Sequence, residues 1–169
     1  MQSITHRVVW QQFGAAIDML ENAIKACPPA VWNDRNLRPE FWYVAYHTLF
    51  FLDYYLAESQ SAFAPPVPFT LSELDPSGLM PDRVYSQEEL LTYLEHGRDK
   101  ARSRLVALTD AEAAGDSGFA RREMSVMELL MYNMRHVQHH AAQLNVLLRQ
   151  TTDSAPEWVS KARQKLNQP

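Results

Sequence analysis

Glycine is scarce in this chain, with 5 in 169 residues, and cysteine is nearly absent, with one. A single cysteine excludes an intrachain disulfide, and a lone thiol suits a reducing, cytoplasmic setting. Cys27 lies in AIKACPPA, at the end of a helical stretch with no base beside it, so a packed thiol is expected rather than a nucleophile. Also missing is an apolar run approaching the ~18–20 residues of a membrane span, and no membrane association is expected. The N-terminal MQSITHRVVWQQF has no basic start followed by an apolar stretch, so no signal peptide is expected there. Dense basic blocks are absent too. The chain carries 16 Lys and Arg against 20 Asp and Glu, a formal net charge of -4. Lys100, Arg102 and Arg104 share their segment with acids and read as a solvated face. Nucleic acid is therefore not an expected partner, because phosphate binding needs clustered cations.

What is present is an ordinary globular composition, 46% hydrophobic and 21% charged, enough for one domain spanning residues 1–169. The prolines cluster between periodic segments, as punctuation in a helical protein does. From about Thr5 to Cys27, Val9, Phe13, Ala16, Ile17, Leu20 and Ile24 recur at three- and four-residue steps, and Pro28-Pro29 end the run. A second helix is predicted from near Pro39 through PEFWYVAYHTLFFLDYYLAES, apolar on much of its circumference and so buried on more than one side. Between Ser59 and about Ser86 come five prolines, Pro65, Pro66, Pro68, Pro76 and Pro81, in a long excursion of the kind that serves as a functional cover or a mobile linker. The third helix begins at Ser86, where SQEE supplies a capping box with Glu89, and its inward candidates include Leu90, Leu94, Leu105 and Leu108. DAEAAGDSGFARRE reads as a polar connector. The fourth helix is predicted from about Ser125 to Gln150, and a short amphipathic one from Ala155 to Leu166. The expected fold class is all-α, a four-helix bundle with an extra short C-terminal helix.

Three of the six histidines fall within five positions of the fourth helix, in RHVQHHAAQL, residues 135–144. At about 100° per residue, His136 and His140 stand about 40° apart, on the stripe that holds Leu129 and Leu147. His139 lies about 60° to the other side, on the flank, with a surface role expected. Two imidazoles at i and i+4 project side by side and can grip one ion. The glutamate of a zinc-protease HExxH is missing, since Val137 takes its place. His47 stands in the middle of the apolar second helix, where an isolated ionisable ring is costly unless hydrogen-bonded or coordinated. Across a bundle it can meet His136 and His140. Three neutral imidazoles leave part of an ion's coordination shell to water or substrate.

PEFWYVAYHTLFFLDYYL followed much later by HVQHHAAQLNVLL resembles the DinB family of bacterial four-helix-bundle proteins. Its motif is a helix-two histidine after an aromatic-rich run, then a helix-four HxxxH closely followed by Gln-Leu or Gln-Ile. The matching residues here are His47, His136, His140 and Gln143-Leu144, with Ala141-Ala142 where the family often has Arg-Gly. The resemblance implies up-down-down-up connectivity and a divalent metal ion, often nickel or zinc, held by His47, His136 and His140. It implies homodimers as well, and in some relatives transfer or isomerisation chemistry with a low-molecular-weight thiol.

A bound ion's Lewis acidity would serve either hydrolysis or thiol-dependent S-transfer on a small-molecule substrate. No carboxylate stands out in the sequence as a general base. Asp53 and Glu58 are expected at the surface or in caps. Tyr43, Tyr46, Tyr54 and Tyr132 are available to line an aromatic pocket, with plain packing as the simpler role. The alternative to an enzyme is a noncatalytic metal-stabilised bundle acting as a structural or interaction protein.

Overall fold

The computed structural model describes residues 4–119 and 123–167; the first three residues of the N-terminal stretch and residues 120–122 of the polar connector lie outside them. The described residues form six α-helices: α1 Ile4–Ala26, α2 Pro29–Trp32, α3 Phe41–Tyr54, α4 Gln87–Ala107, α5 Asp110–Ala114 and α6 Val126–Thr152. No strand occurs among them. The four long helices build the bundle, and the periodic apolar positions of α1 and α4 all face its core. Phe13, Ile17, Leu20, Ile24, Leu90, Leu94 and Leu105 are each fully buried. In α3 the apolar surface wraps around the helix, and Trp42, Ala45, Tyr46, Leu49, Phe50 and Leu52 are all removed from water.

Helix starts follow their capping chemistry. Ser86 accepts from Glu89 N while the Glu89 carboxylate returns to Ser86 N, so two orphan donors of α4 are satisfied at once. The same box recurs at Ser125/Glu128 for α6 and at Thr109/Glu112 for α5. The polar connector thus begins with a short helix. At the C-terminal end of α1, the Gln87 amide donates to the carbonyls of Ile24 and Cys27, and at Ile24 it stands in for the intrahelical bond that Pro28 cannot make.

Cross-helix contacts give the directions. Gln87 meets Ile24, Arg98 meets Asp18 and Glu21, and Arg102 lies over Trp10, so α1 and α4 are antiparallel. Tyr46 meets Tyr85, and Asp53 meets His96 and Lys100, so α3 and α4 run parallel. His47 faces His140, Phe51 faces His136 and Tyr55 faces Tyr132, so α3 and α6 are antiparallel. The connectivity is up-down-down-up. Parallel α3 and α4 require the chain to return the full length of the bundle between them, and the Pro-rich excursion makes that return.

The excursion is pinned. Phe69 stacks on Tyr93 with centroids 4.2 Å apart and packs edge-on against Tyr85 at 4.8 Å, while the Tyr46 hydroxyl donates to Thr70 O at 3.2 Å. These anchors set the following turn, Ser72–Leu74, against α3.

The expected C-terminal helix from Ala155 to Leu166 does not form. Asp153 takes a left-handed conformation, φ 57°, which stops α6, and the chain continues as an extended strap across α1. Its polar groups bond to α1 instead of to one another: Ala162 N donates to Gln11 O at 2.9 Å, and Trp10 Nε1 donates to Gln164 O at 2.8 Å. Gly14 permits the approach, since a Cβ there would lie 2.6 Å from the Ala162 Cβ. Beneath the strap, Arg98 lies 3% exposed between Glu21 (2.6 Å) and Asp18 (3.3 Å), and Arg163 N donates to Asp18 at 2.8 Å.

No helix among the described residues is long and apolar enough to cross a membrane.

Candidate metal centre

His47 projects from the middle of α3, and His136 and His140 from consecutive turns of α6, so antiparallel packing of the two helices brings the three rings together. Their centroids are 5.4 Å (His47–His136), 5.0 Å (His47–His140) and 4.5 Å (His136–His140) apart. One ring nitrogen of each lies within 4.8 Å of the others, and all three residues are half-buried. The His136 and His140 Nε2 atoms are 3.1 Å apart. Two imidazole nitrogens at ~2.0–2.1 Å from one zinc ion are separated by about 2.8–3.4 Å in octahedral or tetrahedral geometry. The α6 pair therefore already has the spacing of two ligands of one ion. An HxxxH pair on a regular helix achieves this because the i,i+4 rings stand one above the other.

The opposite edges of two rings are held by hydrogen-bonding partners. The His140 Nδ1–H donates to the Gln143 Oε1 at 2.6 Å, one turn further along α6. This leaves Nε2 with its lone pair directed at His136. Burial lowers the His140 pKa, followed by the neighbouring His47 and His139 rings, and the bond to Gln143 opposes them. The ring is thus biased toward its neutral, ligating form. His47 Nδ1 lies 2.6 Å from the Glu73 carboxylate, whose side chain is 3% exposed. Glu73 sits in the Ser72–Leu74 turn of the crossover. Tyr43, one turn before His47, is close enough to Glu73 that burial first, and then this carboxylate, pushes its phenol up to about 12.

Sequence reasoning did not find Glu73. It is one of several acids in a loop without periodicity, and nothing in its neighbours marks it as the one that folds back onto α3. Asp53 is also placed differently from expectation. Instead of lying at the surface it is fully buried between α3 and α4, where Lys100 Nζ, His96 Nε2 at 3.4 Å and the Tyr93 hydroxyl at 3.1 Å surround it. That face of α3 points away from His47. Glu58 is exposed. Tyr46 and Tyr54 are packed in the core. His139 is exposed and stands outside the cluster, its ring 5.0 Å from that of His140.

Beside the rings, α1, α6 and the strap enclose an open groove of about 590 Å³. His136 forms part of its wall, with Tyr132, Arg135, Gln138, His139 and Trp158 around it. Trp158 belongs to the strap and is 68% exposed.

The sequence profile of the DinB superfamily matches residues 12–144, a span that contains all three clustered histidines. The chain belongs to the DinB superfamily. No curated protein and no solved structure matches it. For this DinB member, then, fold and family agree with the three-histidine cluster, a donor set suited to a divalent metal ion.

Proposed function

We propose that this DinB-superfamily protein is a metal-dependent enzyme whose ion, nickel or zinc, is held by His47, His136 and His140. The observation that carries the reading is the half-buried cluster of three imidazoles with the α6 pair already 3.1 Å apart. Imidazole donors suit zinc and nickel, whereas calcium and magnesium prefer oxygen. Structural zinc sites are closed by four protein ligands, while catalytic ones keep a position open; three rings reaching solvent beside a groove fit the second pattern. An ion held by the three rings would supply Lewis acidity beside the groove that His136 borders, for S-transfer from a low-molecular-weight thiol or for hydrolysis.

The chain's own contribution is positional. Gln143 fixes the tautomer of His140, Glu73 holds His47, and Tyr132, Arg135 and Trp158 offer an apolar wall with one cation for a small-molecule substrate. The cluster also joins α3 to α6, which favours a noncatalytic, stabilising ion as the second reading. Homodimerisation belongs to the proposal through kinship, and a cytoplasmic location through the lone thiol of Cys27.

The test has two parts. His140→Ala should abolish stoichiometric metal content, measured by elemental analysis, while circular dichroism stays largely helical; unchanged metal content would sink the ligand set. Metal-loaded protein is then incubated with small thiols and a panel of electrophiles and esters. Turnover that is lost in His140→Ala supports the enzyme, and absence of turnover across the panel assigns the ion to stability.

A further inference from the structure

The crossover between α3 and α4 is long and proline-rich, yet one of its acids is withdrawn from water. Glu73 keeps 3% of its side-chain exposure, and its carboxylate lies 2.6 Å from His47 Nδ1. Among the described residues no lysine or arginine lies within ion-pair distance of it; His47 is its one ion-pair partner. A buried carboxylate without compensating charge is strongly disfavoured. The Tyr43 phenol beside it offers a hydrogen bond but no charge, so the charge compensation has to come through the imidazole. Glu73 is not part of the ligand cluster itself, which consists of the three rings. It stands behind His47, at the nitrogen not needed for coordination, where a carboxylate fixes the tautomer and makes the other nitrogen a better donor.

We propose that Glu73 is the positioning carboxylate of the metal centre, and that through it the Pro-rich crossover is latched onto α3 when the site is filled. This rests on the three-histidine reading of the site. Carboxylate and cation carry opposite charges on the two sides of one neutral imidazole, so the ion stabilises the buried carboxylate and the carboxylate stabilises the ion. By thermodynamic reciprocity, any tightening of metal binding by Glu73 is matched by a tightening of the loop by the metal. Phe69, Thr70 and Ser72 are held independently by Tyr93, Tyr85 and Tyr46, so what the contact adds is confined to Glu73 and the residues just after it. Removing the carboxylate therefore leaves the rest of the crossover anchored.

The experiment titrates zinc(II) into metal-free full-length protein against a chromophoric chelator, for wild type, Glu73→Ala, Glu73→Gln and His47→Ala. Glu73→Ala should weaken zinc binding by about 10–100-fold, the range for lost outer-sphere partners. Glu73→Gln keeps an oxygen for the ring N–H but no charge, and should fall between the two. Hydrogen exchange over residues 71–76 should slow when zinc is added to wild type and respond much less in Glu73→Ala. A purely structural Glu73 would instead lower the melting temperature of the metal-free protein and leave the zinc Kd unchanged. Wild-type zinc affinity in Glu73→Ala, or in Glu73→Gln if the alanine variant does not fold, overturns the proposal. Should His47→Ala also bind zinc as wild type does, the failure lies with the ligand set and not with Glu73.

Discussion

An imidazole coordinates through the nitrogen that carries no proton, so the group behind each ring decides whether it can serve. Gln143 answers that question for His140 and Glu73 for His47. The first was within reach of the sequence, because three residues along a helix is a fixed step and Gln143 falls on the same stripe as His140. The second was not, because a loop has no period from which an approach 26 residues away can be read. Cys27 is a residue that the sequence did place correctly, as a packed thiol. It is 3% exposed, and burial pushes its pKa up to about 12. At pH 8 the native thiolate fraction should fall about a thousandfold below that of an unfolded chain, whose thiol titrates near 8.5. Alkylation by iodoacetamide should therefore be slow in buffer and fast in denaturant; equal rates would contradict the burial. The linkage has a definite sign. Between about 8.5 and about 12 the unfolded state ionises first, so Cys27 lowers stability as pH rises through that window, and Cys27→Ala should remove that part of the alkaline slope.

At the scale of elements, the four long helices were legible because each has both a buried stripe and recognisable ends, such as the Ser86 box and Pro28-Pro29. The strap was not. Val159, Ala162 and Leu166 have a helical spacing, and the sequence does not reveal that they pack onto the core from a non-helical backbone. The hidden determinant lies about 150 residues earlier, in Gly14, in the Gln11 carbonyl and in the Trp10 indole of α1. Gly14→Ala tests this division. Alanine improves the intrinsic helix propensity of α1 by ~1 kcal/mol. Its methyl group, however, would sit 2.6 Å from the Ala162 Cβ and force the strap outward. Overpacking of this kind costs ~1–3 kcal/mol, so the net change should be neutral to destabilising, and limited proteolysis after residue 153 should accelerate. A more stable protein with unchanged cleavage would show that the strap is loosely held.

Taken as a whole, the molecule is a ring of four helices joined by polar links, several of which are buried. Asp53 with Lys100 joins α3 to α4, and Asn133 donating to Leu52 O at 2.9 Å joins α6 to α3. The network of Asp18, Glu21, Arg98 and Arg163 joins α1, α4 and the strap. The bundle's connectivity was implied by the family resemblance, and the long crossover fits it, since two parallel neighbours need such a return. The buried ions were not readable, because a charged residue on a helix ordinarily signals its wet face. Arg98→Met should leave Asp18 (2% exposed) and Glu21 (7% exposed) without their buried cation. Breaking one side of a buried ion network costs ~3–5 kcal/mol, visible as a lower urea midpoint. Adding Asp18→Asn and Glu21→Gln should recover part of the loss, and a wild-type midpoint in Arg98→Met would show that the network is solvated.

The strap also gives the protein an optical property. Of its four tryptophans, Trp10, Trp32 and Trp42 are 1–4% exposed, while Trp158 is 68% exposed at the rim of the groove that His136 borders. Indoles shielded from water emit at shorter wavelengths and resist aqueous quenchers, so the red edge of the fluorescence and its acrylamide-sensitive part belong mainly to Trp158. A molecule settling into the groove would cover that indole and shift this component alone. The native chain thus carries a reporter of groove occupancy, and candidate substrates can be screened by their emission change without a label and before any reaction is known.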